Sequence, residues 1–177
     1  MKNKESRKRL LLLIEDEIME TIRGPFNAYR DEIEIKEADN AGMGKKMLLT
    51  DSAEQRPDVL ILDLMMPYGE VAEELDAASD PGEIETGVRL LKSLREYERE
   101  QGWSLTWVAI VTARSNPDLM ERLEKLLAGC GRIYIKPFSS LELENDIATV
   151  LGIESQVPLE HLPEGYTPPI PVQGDVL

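Results

Sequence analysis

The run Val59-Leu60-Ile61-Leu62-Asp63-Leu64-Met65-Met66-Pro67 constrains this chain more than any other stretch. It is apolar on both alternating faces and is closed by a proline. Such a run suits a strand covered on both sides, as in the parallel sheet of an α/β domain. Its one carboxylate sits near the end. Carboxyl ends of parallel strands are where open α/β sheets hold their sites, and an ionised Asp is costly to bury without partners. Asp63 therefore either meets solvent at a strand end or stands at the mouth of a site with cations beside it.

The rest of the chain repeats the alternation that such a sheet requires. Leu10 to Ile14 reads as a first strand, followed by Glu15-Asp16-Glu17. Ile18, Ile22 and Phe26 recur at helical spacing, and Pro25 predicts a kink or a shortened helix. Ile33 and Ile35 alternate with Glu34 and Lys36, the pattern of an edge strand with one wet face. Ala41 to about Ser52 reads as a second helix, weakened by Gly42 and Gly44. Gly87 restarts regular structure, with Val88, Leu91, Leu94 and Tyr97 on one face of a helix running to about Glu100. Trp107 to Val111 is a buried strand that ends at Thr112. Asn116-Pro117 opens a helix that ends near Gly129. Ile133 to Ile135 is a fifth strand, leading into Lys136-Pro137-Phe138. Ser139 and Glu142 have capping-box spacing and open a last helix to about Leu151. Five strands alternating with five helices predict a doubly wound α/β domain with a parallel sheet, spanning residues 1–153.

Two segments stand outside that pattern. Residues 68–86 carry seven acids and no Lys or Arg, half of the net charge of −14. Val71, Leu75 and Ala78 share a helical face, and Pro81-Gly82 would end it, so a short acidic helix in a surface insertion is expected. The tail, residues 154–177, contains Pro158, Pro163, Pro168, Pro169 and Pro171. It reads as an extended arm that packs on the domain or reaches a partner.

Charge and composition exclude several classes. With 34 acids against 20 Lys and Arg, nonspecific binding to nucleic acid or to an anionic membrane is disfavoured. The apolar run at Leu10–Ile14 is too short for a signal peptide core. The single Cys130 rules out an internal disulfide and fits a reducing cytoplasm. The single His161 lies in the tail, which argues against Ser-His-Asp chemistry.

In a parallel sheet the strand ends share one edge. That edge would carry Glu15, Asp16, Asp63, Thr112 and Lys136. Two like charges about 4 Å apart repel by roughly 4 kcal/mol at an effective dielectric near 20. Three carboxylates therefore require cations. Lys136 supplies one, and a hard divalent ion with oxygen ligands, such as Mg²⁺, is the natural second. A carboxylate beside a metal, an ammonium and a hydroxyl suits phosphoryl transfer, with Asp63 as nucleophile.

On these residues the chain resembles the receiver domain of response regulators in two-component phosphorelays. The matching segments are Leu11–Glu17, Leu60–Pro67, Val111–Arg114 and Ile135–Phe138, within residues 9–152 apart from the insertion. The resemblance implies a flavodoxin-like sheet order 2-1-3-4-5. It makes Asp63 the phosphoacceptor. It makes Glu15 and Asp16 the acidic pair that holds Mg²⁺ with Asp63, Asp16 as direct ligand and Glu15 through water, and the Met65 backbone carbonyl a further ligand. It has Thr112 bond the phosphoryl group and Lys136 pair with it, across a cis Lys136-Pro137 bond. Implied partners are a sensor histidine kinase or phosphotransfer protein and a downstream protein target. A homodimer through helix 4, strand 5 and helix 5 is a further implication. With no basic helix-turn-helix or second catalytic domain in the sequence, the expectation is a stand-alone cytoplasmic receiver acting by contact.

Two departures from the family qualify this. An aromatic residue often stands three positions before the lysine; here Ile133 does, and Tyr134 is one later, on the other strand face. The acidic insertion is the second departure. The alternative function is a degenerate receiver that binds proteins without phosphorylation. A haloacid-dehalogenase-type phosphatase would need an acid two residues after the nucleophile, where Met65 stands. A dinucleotide-binding fold would need a Gly-rich turn after Ile14.

Overall fold

The computed structural model describes residues 7–67 and 84–170. Strands β1 (Arg9–Ile14), β2 (Ile33–Ala38), β3 (Val59–Asp63), β4 (Trp107–Thr112) and β5 (Gly131–Ile135) form one parallel sheet in the order β2-β1-β3-β4-β5. Helices α1 (Met19–Phe26), α2 (Ala41–Leu48), α3 (Ile84–Gln101), α4 (Pro117–Leu127) and α5 (Ser140–Leu151) alternate with them. The expected doubly wound fold and strand order are both observed. The central strands β3 and β4 are buried along their whole length, which explains why their sequences are continuous apolar runs rather than alternating ones.

Side-chain alternation divides the core into two layers. Leu12, Ile14, Leu60, Leu62, Val108 and Ile110 face α2, α3 and α4. Leu11, Leu13, Val59, Ile61, Ala109 and Val111 face α1 and α5. At about 25 cal/mol per Å² of apolar surface removed from water, these two layers are the main favourable term in folding.

Several boundaries differ from the sequence expectation. Helix α2 stops at Leu48 because Leu49 leaves helical dihedrals and the Thr50 hydroxyl takes the Ser52 N–H, a local turn that competes with the helix. Helix α3 begins at Ile84, three residues before Gly87. Strand β5 begins at Gly131, which pairs with Val108 on β4. Helix α1 does end one residue after Pro25 and passes into a 3-10 turn, Asn27–Tyr29. The expected acidic helix at 71–78 lies outside the described residues.

The expected caps are in place. Asn40, Asn116 and Ser139 each accept a hydrogen bond from a backbone N–H three residues on, at the starts of α2, α4 and α5. As far as Ile170 the tail is neither free nor wholly extended. It makes a 3-10 turn at Leu159–His161 and returns along α5.

Candidate functional site

The register of the sheet explains which strand-end side chains meet. Ile14 pairs with Leu62, so Glu15 and Asp63 follow at the same level. Glu15 continues the alternation of Leu11 and Leu13, and Asp63 that of Val59 and Ile61. Lys136 continues that of Arg132 and Tyr134. All three therefore emerge on the α1/α5 side of the sheet. Lys136 Nζ donates to Asp63 Oδ2 at 2.8 Å and to Glu15 Oε1 at 3.1 Å. Asp16 joins them from the loop after β1, and carboxylate oxygens of Glu15, Asp16 and Asp63 all lie within 4.8 Å of one another.

Each carboxylate is held. Glu15 is 0 % exposed, and its Oε2 accepts the Ile18 N–H at 2.5 Å. Asp63 is 2 % exposed, and its Oδ1 accepts the Met65 N–H at 2.9 Å. Asp16 faces solvent at the mouth. The loop beyond Asp63 is pinned where Ala41 N–H donates to the Pro67 carbonyl at 3.1 Å. The loop beyond β5 is pinned where Lys136 N–H donates to the Thr112 carbonyl at 2.8 Å. The Lys136-Pro137 bond is cis, as the resemblance implies.

The charges are unequal. Three carboxylates face one ammonium. Burial pushes the Glu15 carboxyl above the usual range, despite the bonds from Ile18 N–H and Lys136. Burial also raises Asp16, helped by the charge of Asp63. For Lys136, burial opposes the charged form, but the bonds to Asp63 and Glu15 outweigh it and hold the ammonium above the ordinary lysine range. An all-oxygen set with excess negative charge, one member open to water, fits a hard divalent cation such as Mg²⁺.

Thr112 is at the adjoining strand end, fully buried, but not bonded to the cluster. Its alternation follows Val108 and Ile110, on the opposite side of the sheet from Asp63. Its Oγ1 accepts the Arg114 N–H at 3.0 Å. That leaves the hydroxyl proton available as a donor. Ile133 packs with the α2/α3/α4 layer, whereas Tyr134 is buried on the other face and donates to Asp146 of α5. The one-residue displacement thus takes the aromatic ring to the side away from Thr112 and into a fixed hydrogen bond.

In the sequence Gly87 marks only a restart of regular structure. Here its N–H donates to the Leu64 carbonyl at 3.3 Å. A Cβ at this position would lie 2.5 Å from Leu64 Cα and 2.6 Å from the Asp63 carbonyl. These are backbone atoms that cannot yield without moving the residue before the loop. Gly87→Ala is expected to destabilise the fold by about 1–3 kcal/mol through overpacking. The check is a lower urea midpoint with an unchanged m-value.

An open, doubly wound α/β sheet with a polar cluster at the carboxyl ends of its central strands belongs to the class of folds that hold their ligands at that edge. Within that class the fold is that of response-regulator receiver domains. A signal receiver domain of two-component signal transduction (histidine kinase) from Clostridium thermocellum superposes with a TM-score of 0.58 at 23 % identity, covering 83 % of this chain and 100 % of that one. The non-phosphorylated HemR receiver domain from Leptospira biflexa gives 0.58 at 20 %, covering 83 % and 97 %. The receiver domain of a Francisella response regulator gives 0.51 at 24 %, covering 77 % and 90 %. No protein-family model matches the sequence, and no curated protein does. Among the described residues, no helix is long and apolar enough to cross a membrane.

Proposed function

We propose that the chain is a response-regulator receiver that takes a phosphoryl group onto Asp63 and signals through protein contact. The observation that carries this is the buried Asp63 carboxylate, bonded by Lys136 and grouped with Glu15 and Asp16 at the carboxyl end of β3. The domain proper is residues 1–153, with the acidic insertion at 68–86 and the tail at 154–177.

In this reading an Asp63 carboxylate oxygen attacks phosphorus. The new bond is O–P, and the bond that breaks is P–N of a phosphohistidine or P–O of a small acyl phosphate. The leaving group departs with the electron pair. The Met65 N–H and Lys136 orient Asp63 from both of its oxygens. Lys136 moves with the transferred charge, and the Thr112 hydroxyl donates to a phosphoryl oxygen. Glu15, Asp16, Asp63 and the Met65 carbonyl would hold Mg²⁺, which when bound neutralises phosphoryl oxygens. The cleft beside Lys136 supports delivery by a partner protein, a sensor histidine kinase or a phosphotransfer protein. It is about 480 Å³, open, and lined by Ile18, Thr21, Ile22, Pro137 and Phe138. A mostly apolar wall of that kind suits the aliphatic face of a partner helix that presents its phosphohistidine to Asp63.

The test is intact mass after incubation with acetyl phosphate and Mg²⁺. The expected result is one added phosphoryl group, absent in Asp63→Asn. An unmodified mass in the parent protein, or a phosphoryl group retained by Asp63→Asn, overturns the assignment and leaves a binding module in its place.

A further inference from the structure

Strand β2 is polar on a face that the rest of the sheet keeps apolar. Its Glu34 and Lys36 stand level with Leu10 and Leu12 of β1, and Leu12 belongs to the layer under α2, α3 and α4. Residues level with one another on neighbouring strands share a face. Two charged side chains therefore occupy the place where that layer would continue to the sheet edge. The cause is the short α2. Leu49 leaves helical dihedrals, so the helix ends at Leu48. The chain then turns through Thr50 and Ser52. What remains beside the end of the helix is a cavity of about 270 Å³. It is lined by Leu10 and Leu12 of the strand, by Met47 and Pro57, and by Lys36 and Lys46.

Lysine stems commonly fill the space over apolar residues. Here a cavity stays open between two of them, at the small end of the range for ligand pockets, about 300 Å³ upward. Its chemistry is amphipathic. Leu10 and Leu12 are buried and offer only hydrocarbon. Lys46 is exposed on the last turn of α2. Lys36 Nζ is 4.0 Å from Glu34, with side chains 41 % and 57 % exposed, a pair too weak to withhold the ammonium from a ligand. The Thr50 hydroxyl is already engaged, donating to Gln55 Oε1 at 3.2 Å and accepting the Ser52 N–H at 3.3 Å. A polar head group would therefore meet the lysines. The carbonyl end of α2 lies beside them and carries partial negative charge. That end disfavours a dianion and leaves room for one negative charge between two ammoniums.

We propose that this cavity binds a small amphipathic monocarboxylate, its apolar body on Leu10, Leu12, Met47 and Pro57 and its carboxylate between Lys36 and Lys46. The site is on the opposite side of the sheet from Asp63. The proposal does not rest on phosphorylation of Asp63 and is tested without phosphoryl donor or Mg²⁺, so its failure and that of the Asp63 reading are separate results.

The experiment titrates octanoate, octan-1-ol and acetate into the full-length, ¹⁵N-labelled chain at pH 7.5 and constant ionic strength. Octanoate is expected to shift the amides of Leu12, Lys36, Met47 and Thr50 saturably, with a Kd of about 1 mM, in keeping with so small a ligand. Octan-1-ol, which lacks the charge, should bind about tenfold more weakly, and acetate should leave these amides unmoved. Lys36→Gln and Lys46→Gln should each weaken octanoate by about two- to fivefold, the range of one partly exposed charge pair. The double variant should fall to the affinity of octan-1-ol. Lys125→Gln, an exposed lysine on α4, should bind as the parent does. Absence of saturable shifts with octanoate overturns the site. Equal affinity for octan-1-ol, an undiminished affinity in the double variant, or an equal loss in Lys125→Gln overturns the carboxylate recognition. Shifts centred on Ile18, Thr21 and Ile22 instead would place the ligand in the cleft beside Lys136 and overturn the assignment to this cavity.

Discussion

Lys136→Met should lower the unfolding free energy at neutral pH by about 2–4 kcal/mol. Breaking a buried ion pair typically costs about 3–5 kcal/mol, and the partial exposure of the Lys136 side chain, 19 %, reduces it. The melting temperature should fall by about 5–10 °C for a chain of this size. The methionine keeps the length and the apolar stem, so the loss reads the ammonium itself. Without it, Glu15 and Asp63 face each other with no bonded cation. The pH dependence has a definite sign. The Glu15 carboxyl is already raised in the folded state, and loss of the ammonium raises it further. A raised folded value means stability that is present below the unfolded value and is lost as pH rises through the folded one. The deficit should therefore be greatest at pH 7–8 and shrink toward pH 4. Phosphoryl uptake from acetyl phosphate should slow by about 10²–10³-fold, the usual loss on removing one charge-stabilising donor. Thermal melts across pH and a time course of intact mass check both parts. A pH-independent deficit would mean that Lys136 acts through packing rather than charge.

Mg²⁺ should raise the melting temperature at neutral pH by a comparable amount. A ligand bound only by the folded state at 100 times its Kd stabilises by about 2.7 kcal/mol. Asp16→Ala should abolish the shift, because it removes the solvent-facing carboxylate of the cluster. Glu15→Gln should reduce it less. Metal binding needs deprotonated ligands. Glu15 and Asp16 hold their protons to higher pH than ordinary carboxylates, so the Mg²⁺ shift should fade as pH falls through those raised values. The two groups without metal favour the folded state in acid, and the ion offsets what they lose on ionising. Thermal shift at constant ionic strength, with Ca²⁺ and Na⁺ as comparisons, provides the measurement. An undiminished shift in Asp16→Ala would refute the ligand set.

Much of the site was legible because strand chemistry and strand period are local. A buried parallel strand must be apolar on both faces, so each end is marked by the first polar residue after the run: Glu15 after Ile14, Asp63 after Leu62, Thr112 after Val111, Lys136 after Ile135. Parallel pairing brings those ends to one edge without further information. Helix ends were less legible. The stop of α2 at Leu48 rather than near Ser52 depends on a Thr50–Ser52 turn that propensity does not rank. The earlier start of α3 put Gly87 inside a helix and against the backbone of the Asp63 loop. A lone Gly at the head of an apolar stripe was the only signal for that contact.

The polar core was not legible at all. Glu98 reads as one of many surface acids on a helix, yet it is fully buried. It accepts from Arg95 Nη1 at 2.8 Å, from the Thr106 N–H at 2.6 Å and from Arg56 Nη2 at 3.4 Å. Asp146 and Glu144 follow the same pattern on α5, each held by tyrosine hydroxyls from elsewhere in the chain. A charge can be buried when its partners arrive from other elements, and those partners are distant in sequence. Tyr29 and Glu144 are 115 positions apart.

The sequence by itself determined the α/β class, the alternation of five strands with five helices, and the set of polar residues at the strand ends. It did so because period, propensity and burial act over a few residues. Only the tertiary structure decided that Glu15, Asp63 and Lys136 share one side of the sheet while Thr112 lies on the other. Only it decided that Tyr166 of the proline-rich tail is bonded to Asn145 and Asp146 of α5. Those outcomes depend on pairing register and on contacts between groups far apart in the chain, whose free energy exists only once the sheet has brought them together.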